Sequence, residues 1–461
     1  MPEEAFLVHE FVIRGGTVLT PEGLVRTAVG IDGERVAALG DRLSGHDTIE
    51  ADRLWVLPGV IDGHTHMQAP AFGIESRDTF TAGTQAAAAG GVTTIGDFTV
   101  GSTGTSLEDQ IRARLDVART VTTDFALHAE IVGWRPDRAG ELGAAVRMGV
   151  RSFKFYMVYA ERSDHGQLLD AFRAIASLDG VAMVHAEDEE ILRAATQAVP
   201  AAERGRMASF PRSRPPESES AAVELACHLA EVTRVRLHLA HLSTAAALES
   251  VRRAKARGVR VTAETCPQYL LLDERAYAGA EGRQFSVVPP LRTQADREAL
   301  WVGLGNGTLD AVASDHCPFA RADKEQGTDV LEIPCGLPGV ETLLPLVHAE
   351  GVVKRRLRPE RLASLLSARP AEILNLAQRK GAIAVGADAD LVLFDPKKAW
   401  TVGTQSLHLS TDFSPYEGFA ARGAVVRTFV RGRTVFQDGE FAGRPQGRFV
   451  PQEPARGLCR A

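Results

Sequence analysis

His64 and His66 in GVIDGHTHMQ stand two residues apart, so on a strand both imidazoles project from one face and are placed to ligate a single divalent ion. An isolated pair of this kind is more often two polar residues in a surface loop. In this chain the pair directly follows the apolar run VLPGVIDG, and four more residues of ligand chemistry recur at or just past the ends of similar runs. They are Lys154 in RSFKFYMVY, His185 in AMVHAEDEE, His241 in LHLAHLST and Asp315 in AVASDHCPF. Together they read as a metal site spread over most of the chain.

Lys154 is the unusual member. Flanked by Phe153, Phe155, Tyr156 and Met157, it alternates into an apolar strand, where a charged ammonium is costly unless paired or neutralised. It can snorkel to water, form a buried ion pair, or lose its proton and react with carbon dioxide. The resulting carbamate is an anionic, two-oxygen ligand able to bridge two metals, and this reading fits the histidines best. His185 and His241 would then be imidazole donors to a second ion. Asp315 is the candidate general base, since a carboxylate touching one metal and the bridging water can take that water's proton and return it to a leaving amine. A helix N-cap is the alternative for Asp315, but Cys317-Pro318 follows and no helical period begins there.

The remaining histidines are weaker candidates. His238, three residues before His241, is expected on the opposite strand face, under a helical shell. His316 should face away from Asp315, in a supporting or substrate-contact role. His9, His46, His128, His165, His228, His348 and His408 lack companion motifs and read as structural or exposed.

Positioning these residues requires a parallel sheet. Apolar, β-branched runs end near His64, Asp97, Gly133, Phe155, His185, His241, Thr265 and Asp315, with helical periods between several of them, as in SLEDQIRARLDVART and TAAALESVRRAKARG. Eight such units over roughly 260 residues predict an α/β fold, a (β/α)8 TIM barrel whose chemistry sits at the carboxyl ends of its strands. The flanks differ, with short alternating strands broken by Gly-Asp, Asp-Gly and Arg-Gly turns. Neither flank has strands enough for its own core, so one β-sandwich built from both termini is expected. The division is residues 1–57 plus 380–461 for the sandwich and 58–379 for the barrel. From about residue 441 the Pro-, Gly- and Arg-rich tail reads as an extended arm.

Composition narrows the function classes. A chain of 461 residues with 44% apolar and 24% charged content can bury a large core. The net charge of -7 and the absence of a basic stripe argue against nucleic acid. No secretory or membrane-spanning run is evident. Five scattered cysteines, Cys227, Cys266, Cys317, Cys335 and Cys459, read as reduced thiols in a cytoplasmic protein.

The ordered set PGVIDGHTH, DTFTAGTQAAAAGGVTTIGDF, SFKFYMVY, VHAEDE, HLST, AETCPQYL, PPLR, SDHCPF, GLPGVETLLP and SPYEG resembles the cyclic amidohydrolases of the amidohydrolase superfamily, in their dihydropyrimidinase and D-hydantoinase branch. The resemblance implies two zinc ions per subunit, other divalent metals being possible. His64, His66 and Asp315 would hold one ion and His185 and His241 the other, with N-carboxylated Lys154 and a hydroxide bridging both. It implies that Tyr159 polarises the scissile carbonyl of a small cyclic amide, and that the backbone around Val288 and Cys335 binds the ring, which opens to an N-carbamoyl amino acid. It also implies a homotetramer or homodimer. Two positions depart from the pattern, Val288 where the family usually has Ser and Cys335 where it usually has Asn. Dihydroorotases carry an arginine where this chain has Gln68, which argues against a carboxylated ring. Allantoinases share ETCPxYL and are the nearer alternative. Non-catalytic dihydropyrimidinase-like scaffold proteins lose the ligands, whereas all six stand in this chain. The loops MQAPAFGIESRD and TVGSTGTSLED are expected to line the pocket for the exocyclic substituent.

Overall fold

A computed structural model describes residues 8–20 and 23–454. Eight parallel strands form one sheet in sequence order: Val60–Thr65, Val92–Phe98, Asp124–Glu130, Ser152–Tyr156, Val181–His185, Arg236–Leu239, Val261–Thr265 and Ala311–Val312. They curl so that the first and eighth meet. At that seam the His66 backbone N–H donates to the His316 carbonyl at 2.8 Å, and the Ser314 N–H donates to Asp62 Oδ1 at 2.9 Å. Burial pushes the Asp62 carboxyl up to about 7, against the hydrogen bonds from Ser314 and His64. The (β/α)8 barrel is therefore present, although its eighth strand is only two residues long.

Helices between the strands form where the apolar period repeats and a polar residue caps the first turn. Ser106 accepts from the Asp109 N–H ahead of Leu107–Val117, and Thr244 accepts from the Ala247 N–H ahead of Ala245–Ala256. Their apolar faces, including Ile111, Leu248 and Val251, join the main core. Among the described residues no helix is long and apolar enough to cross a membrane.

Two further sheets make the β-rich domain. A four-stranded sheet comes wholly from the N-terminal flank, from Val8–Arg14 to Ser44–Glu50. A seven-stranded sheet interleaves the N-terminal strands with Leu391–Thr401, Ala420–Val430 and Arg433–Gln437. Ile13, Val29, Ile31, Val56, Leu391 and Phe429 share one core between them, so neither terminus completes this unit alone. Trp55–Pro58 pairs with Leu391–Thr401, and the chain then passes through Gly59 straight into the first barrel strand. A Cβ at Gly59 would lie 2.1 Å from Thr93 Oγ1, so this close passage requires glycine.

The extended tail docks on the barrel. Val450 packs with Ile61, Ala126 and Leu374 at the amino-terminal end of the barrel, and the Val450 N–H donates to the Phe125 carbonyl at 2.8 Å. Gln452 reaches further under the sheet, donating to the Leu127 carbonyl at 3.0 Å and accepting from the Ser152 N–H at 3.0 Å. Phe449 and Val450 supply apolar contacts and Gln452 hydrogen bonds, so the segment docks as a strap over strand ends. Residues 455–461, with Cys459, lie outside the described residues.

One buried ion cluster ties the two units together. Lys380 Nζ lies 2.8 Å from Asp124 Oδ2, 2.5 Å from Asp390 Oδ2 and 3.4 Å from Asp388 Oδ2, and Arg431 also donates to Asp124. Asp124 opens the third barrel strand, while Asp388 and Asp390 lead into a sandwich strand. These three carboxylates are near enough to one another to chelate a cation, and the ammonium fills that role. Burial alone would raise Asp124, but Lys380 and Arg431 outweigh it and hold its carboxyl below the usual range. That contribution to stability is present above the unfolded carboxyl value, about 3.9, and is lost as pH falls through the lower folded value. Lys380→Met should cost about 3 to 5 kcal/mol by leaving buried carboxylates without their cation. The loss, read from the urea midpoint, should be smaller at acid than at alkaline pH because protonation relieves the orphaned groups. An unchanged midpoint would mean that Arg431 alone suffices.

Candidate metal centre

His64 and His66 leave the first barrel strand on one face, as their spacing requires, and Asp315 meets them from beyond the eighth strand. His64 Nε2 is 3.2 Å and His66 Nε2 3.4 Å from Asp315 Oδ1, and one ligand atom from each of the three lies within 4.8 Å of the others. Asp315 is at φ 52°, a left-handed conformation that aspartate tolerates better than most residues, and this turns its carboxylate back over the barrel mouth. Burial would raise its carboxyl, but His64 and His66 outweigh this and hold it below the usual range.

The orientation of His64 is fixed from beneath. Its Nδ1 lies 2.6 Å from Glu264 Oε1 at the end of the seventh strand, so Nδ1–H donates and Nε2 keeps its lone pair toward Asp315. Glu264 Oε2 is also 3.2 Å from His238 Nε2, whose Nδ1 is 2.9 Å from Thr262 Oγ1. His238 is therefore on the interior face, not under the helical shell. The parity argument fails because the strand ends at Leu239 and His241 follows at φ 37°, so alternation cannot be counted through it. The turn after His64 is held by Asp97, which accepts from Thr65 Oγ1 at 3.0 Å and the Met67 N–H at 2.9 Å, and which is clamped by Arg114.

A second donor set adjoins the first, with the His64 and His241 rings 5.3 Å apart. His185 Nε2–H donates to Glu187 Oε2 at 2.8 Å, and His185 Nδ1 lies 3.0 Å from His241 Nε2. The nitrogens of this pair face each other across a gap suited to a shared cation, while His241 Nδ1 is buried without a partner among the described residues. Burial would raise Glu187, but Arg214 and His185 pull its carboxyl down to about 2. Burial also lowers His64, His185 and His241, keeping these imidazoles neutral, which is the form that binds metal.

Lys154 is fully buried, its Nζ 5.0 Å from the Phe98 ring centroid and 5.3 Å from that of Tyr156. Among the described residues no carboxylate reaches it at ion-pair distance, and it does not snorkel. Burial lowers its amine to about 8, against the pull of Asp315, Glu264 and Glu130. Neutral imidazoles, one carboxylate and a readily deprotonated amine form a donor set of nitrogen and oxygen that fits divalent ions.

Both sets open into one cavity of about 400 Å³, which Tyr159, Val288 and Cys335 also line. Tyr159 sits at φ 74°, its N–H donating to Glu189 Oε2 at 3.2 Å. Among the described residues its buried hydroxyl finds no acceptor, the nearby Arg214 guanidinium offering only donors, and burial raises its pKa, so it stays a protonated donor. Arg214 Cζ is 5.3 Å from the centroid of its ring. Burial pushes the Cys335 thiol up to about 11, so that wall is uncharged. His316 does not contact the cavity. It is fully buried, Nε2–H donating to Asp78 Oδ2 at 3.0 Å and Nδ1 accepting from the Gly339 N–H at 3.1 Å, a supporting role only. Glu264, Glu187, Asp97, Arg114 and Arg214 were not singled out from sequence. The first two stood inside AETCPQYL and VHAEDE, where an acid near a ligand histidine was the available signal.

Comparison with known proteins places this geometry. The amidohydrolase family model matches residues 55–435. The chain is 36% identical over 452 residues to D-phenylhydantoinase of Escherichia coli (strain K12 / DH10B), covering 96% of this chain and 98% of that one. Dihydropyrimidinase from Brevibacillus agri NCHU1002 superposes with a TM-score of 0.94 at 34% identity, covering 96% and 98%. D-hydantoinase from a Bacillus sp. AR9 does so with 0.94 at 36%, covering 96% and 99%. Because Glu264 sets the His64 tautomer, Glu264→Gln should weaken metal affinity about 10- to 100-fold. Chelator competition reads this directly, and an unchanged dissociation constant would remove the orienting role.

Proposed function

The chain belongs to the amidohydrolase family, and on that premise we propose that it is a hydrolase opening a cyclic amide of the hydantoin or dihydropyrimidine type to an N-carbamoyl amino acid. The observation that carries this reading is the adjacency of two donor sets, His64, His66 and Asp315 beside His185 and His241, with neutralisable Lys154 buried against both and one cavity above them. These residues would hold two zinc ions, with Lys154 as its carbamate between them. When bound, such a pair supplies a water acidic enough to attack at neutral pH and polarises the amide carbonyl.

The chain's own groups do the rest. Asp315 takes the proton of the attacking water and passes it to the ring nitrogen as the C–N bond breaks. The Tyr159 hydroxyl, which has no hydrogen-bond partner among the described residues, donates to the oxygen that becomes negative in the tetrahedral transition state. Val288 and Cys335 flank the ring without charge, leaving backbone groups to recognise its amide.

A panel of hydantoin, dihydrouracil, allantoin and dihydroorotate on metal-replete enzyme tests the assignment. Opening of hydantoin or dihydrouracil, abolished by exhaustive chelation and by Lys154→Ala, is expected. A preference for dihydroorotate would overturn it. Tyr159→Phe should lower kcat on the order of 100-fold, about 3 kcal/mol, with KM and metal content little changed. A change confined to KM would make Tyr159 only a wall of the pocket.

A further inference from the structure

Apart from the six ligand residues, the side chains of the cavity wall that carry formal charge are Glu130 and Glu161, and both are acidic. Among the described residues, no arginine and no lysine other than Lys154 lines the cavity. Glu130 ends the third barrel strand, in register with Lys154. Its Oε1 accepts from the Tyr156 hydroxyl at 2.7 Å and its Oε2 from the Gly101 N–H at 2.8 Å. These two donors fix the carboxyl group and leave each oxygen a free lone pair. Glu161 is exposed, two residues past Tyr159, and no cation among the described residues stands within ion-pair distance of it. Phe72 and Val100, exposed apolar residues at 47% and 44%, line the same cavity and offer a surface for an aliphatic stem.

We propose that Glu130 and Glu161 select rings whose exocyclic substituent is cationic or rich in N–H donors, such as an ammonium, guanidinium or ureido group, and reject rings bearing a carboxylate. The proposal rests on the ring-opening reading above and names its substrate class. On the wall away from the metal ligands, a carboxylate substituent meets acceptor side chains and no cationic side chain among the described residues, so it loses water there without gaining a partner. An ammonium on a short stem finds the unpaired carboxylate of Glu161 at the rim, and a ureido or guanidinium N–H finds Glu130 deeper in. Position in the wall makes this a binding effect, expressed mainly in KM.

The test uses the metal-replete full-length enzyme and four hydantoins: unsubstituted, and with aminopropyl, propyl or carboxyethyl groups at the same ring carbon. The aminopropyl ring should exceed the carboxyethyl ring by about tenfold or more in kcat/KM, with the gap narrowing at high salt. Glu161→Gln should shrink that ratio by roughly threefold or more, as expected for loss of one exposed charge, and Glu130→Gln should shrink it less, because burial pushes the Glu130 carboxyl up. Glu130→Gln cannot accept from both Tyr156 and Gly101, so if it folds poorly the exposed Glu161→Gln variant carries the test alone. Equal rates for the two charged substituents, or a ratio that Glu161→Gln leaves unchanged, would overturn the proposal. If no ring opens, the unsubstituted one included, the ring-opening reading falls and this inference with it. Opening of unsubstituted hydantoin without charge discrimination removes the inference alone.

Discussion

Desolvation of the barrel mouth is the constraint on which the rest depends. His64, His185, His241 and Lys154 are each almost wholly buried, and burial is the largest influence lowering the pKa of all four. Metal binding needs neutral imidazoles, and the carbamate proposed for Lys154 needs a neutral amine, so the same low-polarity setting suits both. A more open mouth would let these groups protonate and repel the ions they are placed to hold.

Burying so many nitrogen donors demands buried anions to orient them. Glu264 serves His64 and His238 at once, and Glu187 serves His185 and Arg214. Each carboxylate thus fixes a tautomer, which decides the nitrogen that faces the ion. Arg214 extends the chain of contacts to the ring of Tyr159, so one side of the metal centre and the hydroxyl proposed to meet the oxyanion are positioned by a single guanidinium. The strained φ values at Tyr159, His241 and Asp315 lie in this same region, where surrounding packing over-determines the backbone.

The β-rich domain and the tail act on the opposite end of the barrel. Lys380, Arg431, Arg35 and Arg379 pair with Asp124, Asp388 and Asp390 where the sandwich meets the third barrel strand, and Val450 and Gln452 close over strand ends that would otherwise expose unpaired backbone groups. The chemical end is left free for loops, and the structural end is sealed by long-range contacts between the termini and the middle of the chain.

The order and type of the proposed metal donors were legible in the sequence because strand alternation is local: His64 and His66 share a face whatever surrounds them, and an apolar run ending in a histidine marks a strand end. The same locality explains where reading failed. The face of His238 cannot be counted from His241 across the strand end at Leu239, and nothing near residue 450 in sequence reveals that the extended tail docks on Phe125. Convergence itself, the His64 tautomer set by Glu264 200 residues away, the seam closed by Ser314 on Asp62, and the acidic wall of the cavity were decided only by the tertiary structure. Hydrogen-bond partners and cavity charge belong to pairs of residues brought together by closure of the barrel, and spacing along the chain carries no record of them.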